Sequence, residues 1–146
     1  MAPFLKILLA AALGLAIGAE RTIAGKNAGM RTFALVSLGS ALIVVMSLQV
    51  KPFFTGDQFQ ISHIISGVVT GVGFIGAGMI FSKDNLLKGL TSAAGLWAAA
   101  AIGMAAGFGL YVLAIFSTLM VLFVFTALWF LEEKIRINVE AKDHDA

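Results

Sequence analysis

The side chains in this sequence that can do chemistry are few and gathered in two places. Glu20, Arg21, Lys26, Asn27, Arg31 and Thr32 form a polar stretch between two apolar runs, and Thr91, Ser92 and Trp97 open an alanine-rich one. The first group reads either as an interfacial ion pair fixing two helix ends or as a polar mouth for an ion or a partner, because ionisable groups near membrane depth are expensive to keep. Adjacent positions on a helix do not face one another, so Glu20 is expected to pair with Lys26 or Arg31 across the turn rather than with Arg21. The hydroxyls of Thr91 and Ser92 suit bonds across helices or to backbone carbonyls more than contact with a ligand. His63 reads as interfacial, and His144 falls in the terminal segment.

Gly71-Val72-Gly73-Phe74-Ile75-Gly76 matches a dinucleotide fingerprint, which has meaning only between a strand and a helix. Here it lies in an apolar run. Gly67, Gly71, Gly73, Gly76 and Gly78 are therefore read as helix-packing surfaces or as points where a helix bends. Gly14 with Gly18, and Gly103 with Gly107, are further small-residue faces of a kind common in membranes. No enzyme is legible: there is no His-Glu-x-x-His, no Gly-x-Ser-x-Gly, and no second carboxylate placed to work with Glu20. The chain has no cysteine, hence no thiol nucleophile or thiolate metal site, and no cofactor is implied. Magnesium takes an octahedral set of oxygens with carboxylates among them. A metal site would need Glu20 from several copies in a ring.

The elements that hold these residues follow from composition. Of the 146 residues 60% are hydrophobic and only 12% charged, against about 25% charged in soluble domains; mean hydropathy is +0.98. A net charge of +2 offers no nucleic-acid surface, and the bilayer is the first partner. A helix crossing the hydrocarbon layer needs about 20 mostly apolar residues, and gaps between charges place spans at about 3–19, 32–50, 61–82, 91–106 and 110–131. As one helix, the uncharged run from Gly89 to Leu131 would be about 65 Å long, twice a bilayer. It must double back, and Gly107-Phe108-Gly109 is the expected hinge. The result is an all-α, polytopic bundle of about five transmembrane helices over residues 1–131, followed by a short charged tail over 132–146, too short to fold alone.

The first span, with Lys6 near one end, resembles a signal peptide, but Ile17 occupies the position where cleavage requires a small residue, so retention is expected. The fourth span, rich in alanine and glycine, belongs inside the bundle. The fifth is bulky all round and is expected to face lipid, with Tyr111 and Trp129 at its ends. Orientation follows the positive-inside bias: with the N-terminus out and the C-terminus cytoplasmic, Arg21, Lys26, Arg31, Lys83, Lys88, Lys134, Arg136 and Lys142 fall inside, leaving Lys6 and Lys51 outside.

Three motifs in order resemble the MgtC/SapB family of bacterial inner-membrane proteins. They are Gly18-Ala19-Glu20-Arg21 with Gly25 to Thr32, Gly71 to Gly78, and Gly89-Leu90-Thr91-Ser92-Ala93-Ala94-Gly95-Leu96-Trp97 running into Ala100-Ala101-Ile102-Gly103. The likeness spans roughly residues 5 to 131. It implies a multi-pass protein of the bacterial inner (plasma) membrane, adaptation to low magnesium, stress or host-cell virulence, and action on other membrane machines such as the proton-translocating ATP synthase. Direct transport of magnesium is the older label for the family, and a small ion or solute conduit is the alternative. Longer family members append a soluble C-terminal domain, whose contribution is expected to be missing from this sequence. Some virulence-associated members carry Asn where Thr91 stands, so a role of that amide does not transfer. Self-association through the glycine and alanine faces is the remaining expectation.

Overall fold

Hydrocarbon offers a peptide group no hydrogen-bond partner, so an apolar chain of this length closes its backbone bonds within helices. The computed structural model describes residues 2–53, 60–83 and 86–144, with side chains through Phe130 except those of Lys83 and Leu86. Most of the loop between Lys51 and Gln60, Asp84 and the last two residues of the tail lie outside them. Five helices result: α1 (Pro3–Ile23), α2 (Met30–Val50), α3 (Ile61–Met79), α4 (Leu90–Phe108) and α5 (Tyr111–His144). All five are long and apolar enough to cross a membrane, α5 through its first part, to Phe130. The protein is a multi-pass helical membrane protein.

The boundaries depart from the charge gaps where local chemistry intervenes. Pro3 starts α1, its fixed φ suiting the first helical position. That helix runs beyond Ala19 to Ile23, so Glu20 and Arg21 belong to its last turn and not to a polar loop. α3 stops at Met79 instead of Ser82 because Ile80 is extended and Phe81–Lys83 (β1) pairs antiparallel with Leu86–Lys88 (β2), Phe81 opposite Lys88. Three-residue strands are too short to leave a periodic signal. The terminal segment, expected as a mere tail, continues α5 to His144; extending an existing helix escapes the nucleation cost that a short isolated segment would bear. The expected hinge is present. Gly109 takes φ 87°, and Leu110 N–H and Gly109 N–H donate to the carbonyls of Ala105 (2.8 Å) and Ala106 (3.0 Å), the Schellman closure that glycine permits.

α4 is the hub, touching each of the other four helices, while α3 leans on α4 and only lightly on α2. One cluster of buried residues joins α1, α2, α4 and α5 around Ile17, Phe33, Leu96 and Ile102. A second joins α2, α3 and α4 around Val44, Val68, Val72 and Met104. Outward, Phe4, Phe74 and Val112 are each more than four-fifths exposed, as side chains meeting acyl chains are. The expectation that α4 is interior and α5 peripheral holds: α4 is over half buried and α5 mostly open.

Close helix approach comes from glycines on α1 and α4. A Cβ on Gly14 would lie 2.5 Å from the Phe33 carbonyl oxygen, and one on Gly18 2.6 Å from Met30 Cα; one on Gly103 would overlap the Ser37 carbonyl, and one on Gly107 would sit 2.9 Å from that of Ala41. α2 is thus clasped on both sides by small-residue faces. At the crossing, Ser37 Oγ donates to the Ala10 carbonyl at 2.7 Å, fully buried. Far along the bundle, Lys6 Nζ donates to the Gly107 carbonyl at 3.2 Å, a cation on the negative end of α4. Ser37→Ala should therefore lower the melting temperature in mild detergent by a few degrees, about 1 kcal/mol. Ser40→Ala should leave it unchanged, because that hydroxyl serves only the Val36 carbonyl of its own helix (2.8 Å). Equal effects would contradict an interhelical role for Ser37.

Candidate functional site

The last turn of α1 points Arg21 into the bundle. Its residue exposure is 3%, and that of its side chain 4%, against 17% for the Glu20 side chain. The guanidinium meets the carboxylate as a fork: Nη2 donates to Glu20 Oε1 at 2.6 Å, and Nε donates to Oε2. This corrects the expectation that Glu20 pairs with Lys26 or Arg31. Both of those cations are exposed and well served by solvent, whereas a buried guanidinium in low dielectric requires a counter-charge within reach. The long arginine side chain supplies the reach that helix geometry alone denies to neighbouring positions.

The other face of the guanidinium lies on an aromatic ring, with Arg21 Cζ 3.7 Å from the centroid of Phe125 in α5. This is a cation–π contact in a desolvated place. Room for the ring is made by α4. A Cβ on Gly95 would come within 2.6 Å of Phe125 Cζ and 3.1 Å of the Phe33 ring. Glu20, Arg21, Phe125 and Gly95 therefore form one unit across three helices. Phe125 lies on the span expected to face lipid, and Gly95 on the one expected inside the bundle. A signal existed, because Ala114, Thr118, Val121 and Phe125 recur at spacings of four, three and four, an inward stripe along a helix otherwise bulky on all sides. Three of these are buried and Val121 packs on the core.

The turn after α1 folds back over this pair. Gly25 takes φ 65°, Lys26 N–H donates to the Arg21 carbonyl at 2.9 Å and Gly25 N–H to that of Thr22 at 3.1 Å, again a Schellman closure. Thr22 Oγ1 donates to the Gly18 carbonyl (3.0 Å) and accepts from Met30 N–H (3.2 Å), tying the ends of α1 and α2. Lys26 is thereby returned to the rim of a cavity of about 410 Å³ between α4 and α5, whose walls include Arg21, Thr91, Gly95, Phe125 and Trp129.

The bundle thus brings together Glu20, Arg21, Lys26 and Thr91 from the two expected groups. Asn27 and Arg31 are exposed and Thr32 is half-buried, none of them lining the cavity; Ser92 is buried, and Trp97 is half exposed away from it. The fingerprint glycines sit within the continuous helix α3, with no strand before them among the described residues. A Cβ added to Gly67, Gly71, Gly73 or Gly78 would meet no neighbouring element within 4 Å, and only one on Gly76 would rest on a neighbour, Ala93 Cβ at 3.6 Å. The close packing within the chain belongs instead to Gly103, Gly107, Gly14 and Gly18.

A model of the MgtC family matches residues 7–134. The chain is 43% identical to YhiD of Escherichia coli, described provisionally as a magnesium transporter, over 82% of this chain and 57% of that protein. It is 39% identical to SrpB of Synechococcus elongatus, over 80% of this chain and 69% of SrpB. It is also 39% identical to MgtC of Salmonella typhimurium, over 84% of this chain and 51% of MgtC. The chain spans little more than half the length of YhiD and about half that of MgtC. No solved structure matches it.

Proposed function

This chain belongs to the MgtC family, and from that premise we propose that it is a non-enzymatic protein of the bacterial inner membrane that modulates other membrane proteins during adaptation to low magnesium. The observation that carries the reading is the state of Glu20. It is the only acid within the five spans, and both its oxygens are taken by Arg21. A carboxylate paired through both oxygens with a guanidinium is a poor ligand for a hydrated divalent cation, which needs oxygen ligands along its path. A ring of Glu20 side chains from several copies would first have to break this pair in each.

The surface offered to partners is the α2–α3 side, where Gly39, Gly67 and Gly71 line an apolar groove of about 400 Å³ open to a neighbouring helix. That supports self-association or contact with another membrane protein, of which the ATP synthase is the candidate implied by resemblance. The basic residues support an N-terminus outside and a C-terminus in the cytoplasm: Arg21, Lys26, Arg31, Lys83 and Lys88 fall near the α1–α2 turn and the hairpin, against Lys6 and Lys51 at the other end.

The second reading, a small ion or solute conduit, is favoured by the transport label on YhiD and by the cavity beside Arg21. Purified protein in liposomes containing a magnesium-sensitive dye separates the two. Under the modulator reading, uptake equals that of empty vesicles. A saturable magnesium flux, lost on Glu20→Gln in protein that still melts cooperatively, would overturn it.

A further inference from the structure

The cavity between α4 and α5 has a polar end and an apolar length. At the polar end stand Arg21, Lys26 and Thr91, the last in the first turn of α4, which has no side-chain cap. Its amide dipoles add positive potential there. Glu20 neutralises one charge, leaving Lys26 in excess at the rim, and no acid among the described residues pairs with Lys26. The guanidinium has five N–H donors, of which Glu20 engages one on Nε and one on Nη2. Nη1 has no acceptor among the described residues. Arg21 is thus a deeply buried cation with donors to spare at a cavity wall.

Away from that end the walls carry no polar side chain. Ala94 and Ala98 form one side, Met120 and Val124 the other. Ala94, Met120 and Val124 are exposed on the bundle surface, so the trough opens sideways, toward acyl chains. From Thr91 to Ala98 it extends about 10 Å at 1.5 Å per residue. Trp129, half exposed at the rim, suits the headgroup boundary.

We propose that this cavity binds an anionic phospholipid from the bilayer, with its phosphate on Lys26 and the free donors of Arg21 and one acyl chain along the Ala94–Ala98 trough. A soluble anion would satisfy the cations but not the trough; a neutral helix would fill the trough but leave the cations unmet. Basic pockets between membrane helices select anionic headgroups for this reason. The proposal is independent of whether the protein modulates or conducts.

Trp129 makes the test direct. Full-length Trp97→Phe protein, which keeps Trp129 as its single tryptophan, is reconstituted in vesicles containing phosphatidylglycerol or phosphatidylcholine brominated on the acyl chain. Brominated phosphatidylglycerol should quench Trp129 at several-fold lower mole fraction than brominated phosphatidylcholine. Adding Lys26→Gln should weaken that preference about fivefold, the scale of one basic residue near a membrane surface. Arg31→Gln, which removes an exposed cation from the same end outside the cavity, should leave it unchanged. Ala98→Leu, filling the trough, should reduce quenching by phosphatidylglycerol to the phosphatidylcholine level. Equal quenching by the two lipids, equal effects of Lys26→Gln and Arg31→Gln, or displacement of the lipid by millimolar inorganic phosphate would each overturn the proposal, the last by identifying a small-anion site.

Discussion

Gly103→Ala is expected to lower the melting temperature of the detergent-solubilised protein by roughly 10 °C, and Gly103→Leu to prevent cooperative folding, while Gly71→Ala leaves the transition in place or raises it. A methyl group on Gly103 would overlap the carbonyl of Ser37, and neither side can yield cheaply. Ser37 is held by its bond to Ala10 and by contact with Gly14, whose own Cβ would lie 2.7 Å from Ser37 Cβ. Overpacking of a tight contact costs about 1–3 kcal/mol, and at 2–4 °C per kcal/mol for chains somewhat larger than this one the upper figure gives a shift of this size. A Cβ on Gly71 would meet no neighbouring element within 4 Å, so alanine meets no obstacle and gains up to about 1 kcal/mol of helix propensity. Circular dichroism melts of the three variants in one detergent decide the matter. Comparable losses at both positions would contradict the assignment of α4, and not α3, as the close-packed helix. If Gly71→Ala changes only the native mass and not the monomer's melt, the open side of α3 is where copies meet.

The second large effect belongs to the buried fork. Glu20→Gln should destabilise the bundle by roughly 3–5 kcal/mol, because it strands the Arg21 guanidinium without its counter-charge in a low-dielectric place. Arg21→Met, which leaves the partly exposed Glu20 unpaired, should cost less, and the double substitution Glu20→Gln/Arg21→Met should recover most of the loss, since a thioether packs well on the Phe125 ring. The measurement is a double-mutant cycle on melting or chemical denaturation. If the single and double variants are equally unstable, the pair is not coupled and the Arg21 position matters for shape alone.

Much of the architecture was legible because charge in hydrocarbon is costly enough to mark the ends of spans. The expected 61–82, 91–106 and 110–131 fall within a few residues of α3, α4 and the membrane-length part of α5. The Gly107–Gly109 hinge was readable because doubling back requires a left-handed residue. What could not be read was which small residues touch. In water a buried face is apolar and an exposed one polar, but in lipid both are apolar, so Gly71 and Gly103 look alike in sequence and differ entirely in space. The Glu20–Arg21 fork was misread because the periodicity rule concerns short side chains at fixed positions, and arginine is long enough to double back on its neighbour once burial forces it. Phe125 was hidden among phenylalanines, most of which do face outward.

The bond between Lys6 and the Gly107 carbonyl has a bearing on biogenesis. Translation delivers Lys6 long before Gly107 has been synthesised, so α1 would enter the membrane with its ammonium group unmatched and its α4-facing flank unoccupied. Only when the alanine-rich fourth segment leaves the insertion machinery is that flank filled and the ammonium satisfied. A nascent chain halted short of this point would leave the Ser37 carbonyl, which Gly103 covers in the finished bundle, beside acyl chains.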